Sequence, residues 1–555
     1  MPRTDNHKNT SRSMSHCVYK RSTRLAGIAV LLVGGAGSAF AQQATTLQND
    51  AQRVQRYYEQ QKPQEPNETD PLKQPQPNVP GQKVTTEGQR FELKKVEFTS
   101  SALLPQADLD AAVAPYLGKQ VSGTELAGML DKVNALYAAR KITTARAVFK
   151  NQPIVDGVVH VELVEGRLGK VEVKGARHVD DKFVRRRIHQ KDGEVVDTDR
   201  LREDLVYLNR TTDLQVKALL QPGETRGQTD ILLQVDEPQR HTIDGFIDNN
   251  GIDSSGRWRV GVQGALYGLM GVDDRLSGNI AHSKGGNDGA VSYSMPIMPN
   301  NGRLGVSYSH SQIDIVQGAF RNLHITGTSS VTSLDYNQPL IATMNWLFSG
   351  IGAYSIGHSS TDISGQHIAD TRTQQITLGL SLAHQQDGQR WSVTQLYTRI
   401  HSDEPMLGKD NFDIAPGSAS FMQRLGQSQW AVRADLGWQF SRGKNLPSAN
   451  LFQIGGLGSV RGYERGVLSG PRGYYFSAEL HRSFGPNLDL YGFADTGSVY
   501  AAYPSNQSIT GAGVGGLYRY RTWLTVSADV AKPFNTVTPD QDSVRANFRL
   551  TLHWE

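Results

Sequence analysis

Two periodicities divide the chain. Up to Pro238, apolar positions recur at helical spacing between short alternating runs. After Pro238 the helical spacing stops, and strict alternation continues to the end. Trp430, Val432, Leu436, Trp438 and Phe440 alternate with Arg433, Asp435 and Gln439; Ile376/Leu378/Leu380/Leu382, Leu524/Val526/Ala528/Val530 and Phe548/Leu550/Leu552/Trp554 repeat the pattern. Period-2 alternation is the mark of a strand with one apolar and one polar face. Segments of about ten residues suit a tilted crossing of a bilayer. Short turns such as 387–389 are interspersed with the polar stretches 311–329, 358–371 and 401–417, which read as long loops. Eleven candidate strands precede residue 472, the weakest at 418–426, and five follow it. Sixteen is an even number, as antiparallel closure requires. The pattern predicts an all-β transmembrane barrel over residues 239–555.

Three strand ends pair a proline with an aromatic or apolar neighbour: Tyr293 to Ile297, Tyr336 to Leu340, and Lys532 to Phe534. Proline removes a ladder donor and sits at a strand's end. The strand count assigns all three to the short-turn, periplasmic rim.

Before the barrel lies a repeat of about 75 residues, opened by Lys95-Val96-Glu97-Phe98 and again by Lys170-Val171-Glu172-Val173. Helical stretches follow at 107–116 and 125–139 in the first unit, and at 180–189 and 199–209 in the second. Strands at 146–150 and 158–164, then at 214–220 and 230–235, close the units. These are two β-α-α-β-β modules, 91–166 and 167–238, each small enough to gain from packing against a neighbour.

Residues 63–90 hold prolines at 63, 66, 71, 75, 77 and 80 and few large apolar residues, so they form an extended linker. Within 42–62, Leu47, Ala51, Val54 and Tyr58 fall on one helical face. That stripe is too thin for a core helix and suits a helix in a wet cavity. Residues 1–41 read as a secretory signal: basic residues, an apolar run at 25–33, then Ala39-Phe40-Ala41. Met14 is an alternative start.

Removing the signal takes away six basic residues and one acid, which turns a formal net charge of +4 into −1. The basicity belongs to the leader, so nothing favours nucleic acid. The single cysteine, Cys17, leaves with it. The scattered histidines argue for no metal, and no cofactor motif stands up. Gly511-Ala-Gly513-Val-Gly515-Gly516 matches a dinucleotide fingerprint literally, but a strand-like run follows where a helix is required. Glycines in a wall approached by another segment explain it better.

The barrel carries two further marks. A long connection, about 441–472, contains Gly456 and then Val460-Arg461-Gly462-Tyr463; a strand-like run then holds Phe493-Ala494-Asp495-Thr496-Gly497. These elements resemble the sixth-loop and strand motifs of the POTRA-plus-barrel superfamily of outer-membrane proteins. With two modules, a leading helix and a linker, the chain resembles the two-partner secretion transporters, which export haemagglutinins, haemolysins and contact-inhibition toxins. The resemblance implies no enzyme activity, and a secreted exoprotein with an N-terminal secretion domain as partner. It implies a monomer among outer-membrane lipids with its modules in the periplasm. The helix at 42–62 would plug the pore, and loop 6 would fold into a partly wet lumen with Arg461 paired to Asp495. An assembly factor of the same superfamily is the rival reading, but such factors usually carry three to five modules.

Overall fold

The computed structural model describes residues 70–73 and 90–554, apart from short gaps at 141, 143, 151–153, 226, 298–299, 319–320, 405–407, 444–445 and 501–505. The signal at 1–41 and the helix at 42–62, with Leu47, Ala51, Val54 and Tyr58, lie outside the described residues.

The first module has a three-stranded sheet: β2 (Lys95–Phe98) runs parallel to β4 (Val158–Glu165), and β3 (Ala145–Phe149) runs antiparallel to it. Helices α1 (Gln106–Val113) and α2 (Gly123–Ala139) cover one face. A capping box starts α2, with Ser122 and Glu125 each satisfying the other's backbone N–H. Leu126, Met129, Val133 and Tyr137 then face the core at i, i+3, i+7 and i+11.

The second module repeats this plan. β5 (Arg167–Lys174) runs parallel to β7 (Gln228–Asp236), and β6 (Gln215–Pro222) runs antiparallel to it. Helix α3 (Asp181–Arg185) is shorter than the 180–189 expected from spacing. Beyond it the chain turns, so that Arg187 reaches Asn301 of the barrel and the His189 N–H bonds to Asp204. Leu201, Leu205 and Leu208 of α4 (Thr198–Thr211) are buried. The linker is not wholly unpaired: β1 (Leu72–Lys73) adds to β6 in parallel.

The remaining strands, β8 (His241–Asp248) through β23 (Arg545–Trp554), close a barrel of sixteen in sequence order. Every neighbouring pair is antiparallel. The last strand closes on the first, with Trp554 opposite Ile243 and Arg549 opposite Asp248. The side-chain pattern is inverted relative to a soluble protein. Ile376, Leu378 and Leu380 on β15 (Gln366–Gln386) are 56%, 61% and 53% exposed, whereas Thr373 and Gln375 are buried. Ser307, Ser309, Ser333 and Asp335 are likewise turned inward. An apolar exterior around a polar interior is what hydrocarbon demands of a barrel.

Two expectations are corrected. The polar stretches at 358–371 and 401–417 are mostly strand, and 311–329 is strand at both ends; β15 alone runs for 21 residues. At roughly 3.3 Å per residue it far exceeds the ~30 Å hydrocarbon thickness. Beyond the bilayer both faces meet water, so alternation fades while the ladder continues. The third proline pattern also lies at the wrong rim. Residues 300–301 and 343–345 are on the module side, but Pro533 ends β22 (Leu524–Pro533) on the opposite side. There Gly462 packs against it, where a Cβ would come within 3.0 Å of the Pro533 nitrogen. A residue without an N–H leaves room for the incoming loop.

The second module is bonded to the barrel's turns. The Asp180 N–H donates to the Gly271 carbonyl (2.8 Å), and the Asp213 N–H to Asp273 (3.0 Å). Tyr267 donates to Asp273 (2.9 Å), which also pairs with Arg303. The Tyr207 hydroxyl reaches the Asn300 carbonyl (2.9 Å), and Asn301 donates to Thr211 (2.8 Å).

Candidate functional site

Between β18 (Trp430–Ser441) and β19 (Arg472–Phe484) the chain leaves the barrel wall. Phe452–Ile454 and Leu468–Gly470 form a two-stranded ribbon. Gly455 (φ 112°), Gly456 (φ 85°) and Gly462 (φ 94°) take left-handed backbone that a side chain would strain. They fold the tip inward, and Ile454, Val460, Tyr463 and Leu468 pack there on Val499 and Ile509.

Arg461 sits at the tip and is 1% exposed. Its Nε donates to Asp495 Oδ2 at 2.7 Å, and its Nη2 to Asp495 Oδ1 at 2.8 Å, a two-pronged fit of guanidinium to carboxylate. Its own backbone N–H also donates to Asp495 Oδ2, at 3.0 Å. Nη1 donates to Glu479 Oε1 at 2.6 Å, and Nη2 to Ser477 Oγ at 3.0 Å. Ser477 in turn donates to Asp495 Oδ1 at 2.6 Å. The guanidinium carbon lies 3.5 Å from the centroid of the Phe493 ring, so one face of the cation is covered by the aromatic.

The structure therefore brings Arg461 together with both Phe493 and Asp495. Gly497 belongs to the same contact, since a Cβ there would come within 3.2 Å of the Val460 side chain. Tyr463 donates its hydroxyl hydrogen to the Thr510 carbonyl (2.8 Å) and accepts from the Asn535 N–H (3.0 Å). A Cβ on Gly456 would come within 3.0 Å of the Arg465 Cα. The site is drier than a partly wet lumen, with Asp495 1% and Glu479 3% exposed.

Sequence reasoning missed Ser477, Glu479 and His481. The signal was present as three polar residues at period 2 on β19, on the face opposite Phe476 and Leu480. Ser477 lies directly across from Asp495 in the ladder. His481 bridges Glu479 (2.8 Å) and Asp489 (2.6 Å), extending the polar row along the interior. Gly511 of β21 (Gln507–Tyr520) has its role here too: a Cβ would collide with the Arg461 carbonyl. The Gly511–Gly516 run is thus barrel wall. Among the described residues no group of three His, Cys, Asp or Glu could hold a metal ion.

With this geometry in view, residues 227–517 match the family model for the haemolysin secretion/activation proteins ShlB/FhaC/HecB, and residues 91–166 match the ShlB-type POTRA domain. The chain belongs to this family. It is an outer-membrane transporter of the two-partner secretion class, and its POTRA modules are periplasmic. The outer membrane transporter CdiB of Dickeya dadantii is 24% identical over 503 residues, 84% of this chain and 87% of the relative. The heme/hemopexin transporter protein HuxB of Haemophilus influenzae is 22% identical, covering 71% of this chain and 73% of its own length. Among solved structures, CdiB from Escherichia coli superposes with a TM-score of 0.63 at 19% identity, covering 94% of this chain and 99% of that one. BamA from Haemophilus ducreyi gives 0.53 at 14% identity, covering 84% and 100%. These structural likenesses show a shared fold.

Proposed function

We propose that this transporter exports one dedicated exoprotein of the haemagglutinin, haemolysin or contact-inhibition-toxin kind, which its POTRA modules capture unfolded in the periplasm. An extended segment of this exoprotein, which carries an N-terminal secretion domain, adds to a module's sheet edge through main-chain hydrogen bonds. It then threads the barrel interior and folds outside. Folding beyond the membrane gives the direction, and the chain itself performs no catalysis. The transporter works as a monomer held by lipid against its apolar belt. Residues 42–62 act as the resting plug, and loop 6, anchored by Arg461 and Asp495, shapes the pore.

The observation that carries this reading is the docking of the second module onto turn 268–274 and onto Asn300 and Asn301, beside the barrel mouth. A strand held on that module is at the entrance of the pore. The test is deletion of the gene, followed by quantitation of culture-supernatant proteins and of outer-membrane barrels. Loss of one large exoprotein with normal barrel content is expected. A general fall in barrels with no single exoprotein lost would overturn this reading.

A further inference from the structure

The strands that frame loop 6 are short. β18, β19 and β20 (Leu488–Tyr500) have 12, 13 and 13 residues, roughly 40 Å of strand at ~3.3 Å per residue. Tilted by about 40°, they rise by roughly 30 Å, one hydrocarbon thickness. Their ends therefore lie at the two headgroup levels. At the periplasmic end the outward Arg482 is covered by aromatic rings, 5.2 Å from Trp430 and 4.8 Å from Phe484. At the outer end the outward Arg472 is exposed, and among the described residues it has neither an acid nor a ring as partner.

Below Arg472 the outer surface departs from an apolar belt. A groove of about 650 Å³ opens between β18 and β19, walled by Leu436, Trp438, Phe440, Tyr474 and Tyr500, with Arg472 at its outer end. Phe440 is 63% exposed, and the Tyr474 and Tyr500 rings lie 6.4 Å apart. Beside the groove, outward residues of β20 and β21 carry hydroxyls. Ser498 and Ser508 bond at 2.7 Å, and Thr496 and Thr510 at 3.1 Å. A hydroxyl can donate once and accept twice, so each pair retains capacity for a guest. Lys532, outward and exposed one residue before the end of β22, is a second cation at this rim. Three strand spacings, roughly 14 Å, separate β19 from β22.

We propose that this outward face of β18 to β22 binds one molecule of lipid A, the phosphorylated glycolipid of the outer leaflet. Arg472 and Lys532 each take one of the two phosphates that flank its glucosamine disaccharide. The hydroxyl pairs face the sugars, and an acyl chain lies in the groove. Charge decides for this lipid over a phospholipid. Two cations set a disaccharide's length apart match two phosphates, and the groove and its hydroxylated border contain no acid. On their inner face the same strands carry Ser477 and Asp495. The lipid thus lies back to back with the anchor of loop 6.

The test is native mass spectrometry of the full-length transporter purified in detergent, titrated with diphosphoryl lipid A, monophosphoryl lipid A and phosphatidylglycerol. Wild type is expected to hold one diphosphoryl lipid A, at least tenfold more tightly than either other lipid. Arg472→Gln combined with Lys532→Gln should weaken that binding tenfold or more. Arg482→Gln, at the opposite rim, should leave it unchanged. Heat-modifiable migration verifies that each barrel is folded. The proposal is overturned by unchanged binding to the folded double variant, by an equal loss in Arg482→Gln, or by equal binding of phosphatidylglycerol. A folded wild type that takes up no lipid A, or that forms a dimer excluding it, overturns the proposal as well.

Discussion

Arg461 is a charge that the fold has removed from water. Three acceptor side chains and one aromatic face surround its guanidinium, and the two carboxylates depend on it in return. Removing one partner of such a buried pair costs about 3–5 kcal/mol, because the other charge stays buried and uncompensated. Arg461→Lys keeps the charge but loses the planar fork that spans Asp495 and Glu479. It should therefore cut export severely, and it should make loop 6 cleavable by protease added to intact cells. Gly511→Val should produce the same cleavage with every charge in place, since its side chain would displace the Arg461 carbonyl. The pair of Arg461 and Asp495 was legible because each is a lone charge among small residues at a family spacing. Ser477 and Glu479 were not, because a polar residue on the inward face of a barrel strand is the ordinary case. Only the ladder register sets these two beside Asp495.

At the scale of elements, the joint between second module and barrel rests on a few polar groups. Glu237 accepts the N–H groups of Arg177 (2.9 Å), His178 (3.1 Å) and Val179 (3.0 Å), and touches the His178 ring at 2.9 Å. Burial alone would raise its pKa; these hydrogen bonds outweigh burial and lower it. A depressed folded-state pKa contributes stability that is full above the unfolded value of about 4.3 and is lost as pH falls through the folded value. Thermal melts of the detergent-purified protein should thus show an acid-dependent loss below about pH 4. Glu237→Gln should lower the melting temperature at neutral pH and flatten that acid step. The elements themselves were legible wherever periodicity was sustained. α2 and α4 were read from their leucine stripes, and the strands from alternation. The extended portions of β12 (Gly302–Asp314) to β17 (Gly408–Arg424) were missed because outside the hydrocarbon no solvent contrast separates their faces. The pairing of β1 was missed because two residues amid prolines carry no periodic signal. Only the groove of α4 and β6 gives Leu72 a place to go.

For the whole molecule, transport requires a pore that is shaped from within and fed from the periplasmic side. The sixteen-stranded wall, the inward loop and the docked module occupy the positions such a path needs. Architecture and family were legible from a repeat, a linker and two motifs, since each has a single structural use in that order. The exported partner is not encoded in that way, because main-chain pairing recognises extended backbone more than particular side chains. The central claim is that loop 6 is held in the pore by direct contact between Arg461 and Asp495, and that export depends on it. The decisive measurement is a double-mutant cycle on secretion, comparing Arg461→Ala, Asp495→Ala and the double variant at equal outer-membrane abundance. Each single change is predicted to impair export strongly, and the double variant to be no worse than either. Fully additive losses, or wild-type secretion by either single variant, would contradict the account.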